Sequence, residues 1–183
     1  MSVIVLSESA TPSTPASGLA KVFVNSSGRL AEVDDAGVVS VFSVQPGAGA
    51  VLQSSPADPA GTANTGGLMM GLAGTITPVT TGRIHVTITG TIKNATAIAD
   101  GANVQLRTGT GSAPANADAL TGTTAGGLVK YVAPTTACKV PFTLCAIVTG
   151  LSLNVARWID VSLAAVTGGT AEITDISMTA YEF

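Results

Sequence analysis

The sequence predicts an all-β protein: a small N-terminal β-meander arm followed by a β-sandwich or jelly-roll domain. Two observations carry that prediction. Apolar and polar residues alternate in RIHVTITGTI (83–92), KVPFTLCAIV (139–148) and RWIDVSLAAV (157–166), which is the period of a half-buried strand. Gly, Pro, Ser and Thr cut the chain between such runs, and no stretch shows the periodicity of a long amphipathic helix.

The arm is assigned to residues 1–44. Residues 1–20 are a Ser/Thr/Pro-rich lead-in, and KVFVNSSGRLAEVDDAGVVSVF (21–42) reads as three short strands joined by two Gly-containing turns. Asp34 and Asp35 beside Gly37 read as turn chemistry rather than as cation ligands. The apolar residues of this stretch are too few for a private core, and a three-stranded sheet needs its hydrophobic face packed on something. Val22, Phe23, Val24, Leu30, Val39, Val41 and Phe42 are therefore the candidate docking residues. An unpaired strand edge beside a thin apolar face is a template for strand addition by another chain.

QPGAGAVLQSSPADPAG (45–61) is expected to be a linker, because its Pro, Gly and Ser cannot sustain a helix or a central strand. Residues 62–183 are assigned to the sandwich. LMMGLAGTI (68–76), NVQLRT (103–108) and LVKYVA (128–133) are its shorter strands. In the longer ones, alternation selects Ile84, Val86, Ile88 and Ile92, then Val140, Phe142, Leu144, Ala146 and Val148, then Ile159, Val161, Leu163 and Ala165 as core-facing. The last run, AEITDISMTAYEF (171–183), slips parity between Ile173 and Ile176, which predicts a bulge near Thr174 and Asp175. Short strands separated by turn signals over such a length imply a sandwich or jelly roll.

Only 10% of the residues are charged while 46% are hydrophobic, against roughly 25% charged in ordinary soluble proteins. Much of the surface is therefore expected to be buried against other copies of the chain. No segment approaches the roughly 20 predominantly apolar residues of a spanning helix, so membrane insertion is not expected. MSVIVLSESATPS has no basic residue ahead of its short apolar run and does not read as a secretory signal, which predicts synthesis in a cytoplasm. Net charge is −3 and the eight Lys and Arg are scattered. Nucleic acid is not an expected partner, since phosphate binding needs clustered cations.

Catalytic constellations are sparse. His85 is the one histidine and falls on a Thr-rich face, where a solvated or interface imidazole outweighs a general base. Cys138 and Cys145 are seven apart, on opposite faces of one strand, so a disulfide is not expected and both read as buried thiols. No Cys or His pair has zinc spacing. RTGTGSAPANADALTGTTAGG (107–127) lacks the spacing of a phosphate loop and reads as a long surface loop. The expectation is a protein that is not an enzyme, with no catalytic residues, cofactor or metal. Trp158 and Asp160 share one face of ARWID, as a candidate interface contact or a candidate glycan contact.

GLAKVFVNSSGRLAEVDDAGVVSVF resembles the N-terminal segment of many tailed-bacteriophage virion proteins. The body, with LMMGLAGTITPVTTGRIHVTITGTI, RTGTGSAPANADALTG, KVPFTL and RWIDVSLAAVTGG, is similar to small structural proteins of such phages. Together these stretches cover most of the chain. The resemblance implies a virion structural protein on the outside of the head: a decoration, or cement, protein, a homotrimer whose partner is the major capsid protein. Its alternatives are a short head or tail fibre that binds the host surface, and a carbohydrate-binding or depolymerising module using Trp158 and Asp160. The absence of a repeat-built shaft favours decoration over fibre.

Overall fold

A computed structural model describes residues 10–26, 30–41, 49–94, 99–132, 134–135 and 138–183. The chain is all-β, and among the described residues there is no helix long and apolar enough to cross a membrane. It divides into two compact units, Met1–Ala48 and Gly49–Phe183.

The first unit holds a three-stranded antiparallel meander, β1 (Lys21–Val24), β2 (Leu30–Val33) and β3 (Val39–Val41). Asp34 makes the turn between β2 and β3. Its Oδ1 accepts from Ala36 N at 3.0 Å and Val38 N at 2.8 Å, and its carbonyl accepts from Gly37 N, whose φ of +78° suits glycine. Asp35 Oδ2 accepts from Gly18 N at 2.6 Å, tying the lead-in to that turn. The expected turn chemistry is what the carboxylates supply.

The second unit contains β4 (Val51–Ser54), β5 (Leu68–Met69), β6 (Gly74–Ile76), β7 (Ile84–Asn94), β8 (Gly101–Thr110), β9 (Thr123–Val132), β10 (Lys139–Val148), β11 (Arg157–Ala165) and β12 (Ala171–Glu182). One sheet runs β10-β7-β12-β4, the other β5-β11-β8-β9 with β6 also on β11. β5 and β6 pair with successive parts of β11, so they are two halves of one interrupted edge strand. Counted that way, the first strand of the unit lies beside the eighth, the third and the sixth, and the second beside the seventh, the fourth and the fifth. Two such sheets of four antiparallel strands form a jelly roll.

The inner faces are those the alternation selects. Ile84, Val86, Ile88 and Ile92 of β7 and Phe142, Leu144 and Ala146 of β10 join Val104 and Leu106 of β8 and Ile159, Val161, Leu163 and Ala165 of β11 in one buried cluster. β12 joins it on both sides of a bulge, with Ala171 and Ile173 before it and Ile176, Met178 and Ala180 after it. The register with β7 shifts between Thr174 and Ser177, and Asp175 takes a φ of 56°. The extra residue lets both Ile173 and Ile176 point inward, which strict alternation would forbid.

The segment 45–61 differs from its expected role as a linker. Residues from Gly49 belong to the jelly roll, and Val51–Ser54 pair with Met178–Tyr181 as an outer strand. A short outer strand tolerates Pro and Gly close to its ends, because its open side needs no ladder donor. The loop expected over 107–127 is also shorter, because β8 runs to Thr110 and β9 starts at Thr123.

Candidate functional site

Register divides the docking candidates between two faces, since residues directly opposite in an antiparallel pair share a side. Phe23, Ala31 and Val41 are cross-strand partners, and so are Val33 and Val39. Phe23, Ala31 and Val33 are buried and form a cluster of their own. Val39 and Val41, on the same face, stay 41% and 42% exposed. The opposite face carries Val22, Val24, Leu30 and Glu32, with Val22 50% exposed and Val24 and Leu30 half-buried. Phe42 lies outside the described residues. Among the described residues the sheet thus has a core of Phe23, Ala31 and Val33, and a β3 exposed along its length.

Trp158 and Asp160 are not surface residues. Trp158 is 4% and Asp160 0% exposed, so neither presents itself to a glycan or to another subunit. β11 is a central strand covered on both faces: the core covers one, and the β5–β6 interruption and the 111–122 loop cover the other. The Trp158 ring packs where side chains on Gly109 and Gly122 would stand, and its Nε1 donates to Thr110 O at 3.2 Å. Asp160 fills the break between β5 and β6. Its Oδ2 accepts from Gly71 N at 2.9 Å, and its Oδ1 from Leu72 N at 3.0 Å and Val161 N at 2.8 Å. These N–H groups lie where ladder pairing stops, and the carboxylate replaces the missing carbonyls. Burial pushes the Asp160 carboxyl up, while the donors of Leu72, Val161, Gly71 and Met70 pull the other way. The 107–127 segment, read as surface loop, is in part a lid on this strand, with Met69 N donating to Asp118 O and Ala117 N to Met69 O.

A second buried carboxylate, Glu182, holds the loop between β6 and β7. It accepts from the backbone N–H groups of Val79 at 2.8 Å, Thr80 at 2.8 Å, Thr81 at 2.6 Å and Gly82 at 3.1 Å. Burial alone would raise its pKa, but the donors of Val79, Thr81, Thr80 and Gly82 outweigh burial and hold the carboxyl far below its ordinary range.

The thiols also differ from expectation. Both are free, but Cys145 is exposed and Cys138 is half-buried. Cys145 has the parity opposite to Phe142, Leu144 and Ala146, so it faces outward on β10. His85 faces outward on β7 beside it, with Nε2 3.1 Å from Sγ. The two are sixty positions apart, and only the β7–β10 register brings them together. Among the described residues no group of three His, Cys, Asp or Glu is placed to hold a metal.

No family model matches the chain, and a search of curated proteins finds no similar sequence.

Proposed function

We propose that the protein is a structural component of a tailed-phage virion, a decoration protein that binds the outside of the head as a trimer and braces neighbouring shell subunits. The observation that carries the reading is the unequal division of the chain. The jelly roll has a large core of its own, whereas among the described residues the N-terminal sheet buries Phe23, Ala31 and Val33 alone and leaves Val39 and Val41 half-exposed on the same face. A sheet so thin gains stability by adding its free edge to another chain. Its β3, all three residues exposed, supplies main-chain donors and acceptors for that addition, and the valines supply register. Repetition over a shell turns modest contacts into tight attachment.

The test uses shells assembled without the protein. Full-length chain is expected to bind them, and residues 49–183 are expected to fold and fail to bind. Val39→Asp with Val41→Asp in the full chain is expected to abolish binding, because each carboxylate buried without a partner costs on the order of 2 kcal/mol or more. Binding by the 49–183 fragment would defeat the docking account. Competition with infection by that fragment, on cells, would replace decoration by the fibre reading.

A further inference from the structure

Cys145 and the single histidine make a pair that the proposed structural role leaves unused. Antiparallel pairing sets Cys145 opposite Thr87 and Ile147 opposite His85, so thiol and imidazole are diagonal neighbours on one sheet face. Nε2 of His85 is 3.1 Å from Sγ. Tyr181, opposite His85 on β12, packs against the imidazole with ring centroids 5.1 Å apart. The residues across from Cys145 on this face, Thr87 and then Thr179, are short, and the sulfur is open to solvent.

We propose that Cys145 is a modification site, a nucleophilic thiol with His85 as its base, which takes small disulfides into mixed-disulfide linkage. In the Nδ1–H tautomer the thiol donates to Nε2. The Sγ–H proton passes to Nε2 as Sγ attacks one sulfur of the reagent, R–S–S–R. The reagent's S–S bond breaks and the Cys145 S–SR bond forms. The departing sulfur takes the proton from Nε2 and leaves as RSH. One thiol is oxidised and one is released, so no further oxidant enters.

The full chain is treated with a neutral dipyridyl disulfide, release of the pyridine thione is followed by absorbance, and the modified cysteine is identified by peptide mass. Cys145 is expected to react at least about tenfold faster than Cys138, a smaller margin than the roughly hundredfold or more that a positioned base typically supplies, and faster in the folded chain than in urea. His85→Phe keeps an aromatic ring beside Tyr181 and removes the base. It is expected to slow Cys145 about tenfold and leave Cys138 unchanged. An unchanged Cys145 rate in a folded His85→Phe chain overturns the proposal, and so does a Cys145 that reacts no faster folded than in urea. The comparison with urea needs no substitution, so it decides the matter if His85→Phe does not fold.

Discussion

Glu182 takes four successive backbone N–H groups onto one buried carboxylate, and its pH dependence follows from that geometry. Its ordinary value is 4.5 and its folded value lies far lower. The stability it confers is therefore complete above the unfolded value and is lost as pH falls through the folded one. Glu182→Gln keeps an acceptor but loses the charge, and is expected to cost about 2 kcal/mol at neutral pH. In urea unfolding, the gap between wild type and variant should narrow as pH drops below 4.5; a gap constant with pH would show that the charge does not hold the loop. Asp160 has the opposite sign. Its raised carboxyl favours the fold at acid pH and loses that contribution as pH rises through its folded value, so it opposes the acid limb that Glu182 sets. Trp158 marks a third demanding position. At Gly122 the φ is +69° and a Cβ would meet the indole ring and Thr108 O. Gly122→Ala is expected to destabilise by about 2 kcal/mol or more through strain and overpacking, read as a lower urea midpoint. An unshifted midpoint would mean that the loop lifts off β11 freely.

At the scale of elements, β4 fixes where the jelly roll starts. Leu52 packs against the core, and Ala50 N lies 3.4 Å from a Glu182 carboxylate oxygen. A chain beginning at residue 49 is expected to fold cooperatively. One beginning at Thr62 lacks β4, uncovers the β12 edge and should unfold at lower urea or aggregate. Equal midpoints for the two would show β4 to be dispensable. The same strand shows what the sequence conceals. Long alternating runs such as 84–92 state their inward face outright, and the parity slip at Ile173 and Ile176 places the bulge. VLQS, within the six residues between Gly49 and Pro56, carries too short a pattern to stand out from a linker. Alternation also gives the two faces of β11 without saying that the 111–122 loop covers the outer one, so Trp158 and Asp160 read as surface residues. The His85–Cys145 contact depends on the pairing of two strands, which neither strand's own sequence contains.

At the scale of the molecule, a chain with 10% charged residues needs to place its exposed apolar side chains somewhere. Val79, Leu153 and Val155 are exposed on two adjoining loops of the jelly roll. Asn154 N donates to Pro78 O at 2.7 Å and Leu151 N to Gly82 O at 3.0 Å, which holds the loops side by side. Glu182 fixes the backbone of Val79 through Gly82, so this end presents its apolar residues on a rigid frame. Rigid apolar surface loses little conformational entropy on association, which suits it to a lasting contact. For the proposed trimer, sedimentation equilibrium should therefore give three times the 18.0 kDa chain mass. Leu153→Asp should yield folded monomers, since a carboxylate at the contact would be desolvated without a partner. A wild-type chain that stays at 18.0 kDa into the high micromolar range would overturn self-association. A Leu153→Asp chain that remains trimeric would instead move the contact away from these loops.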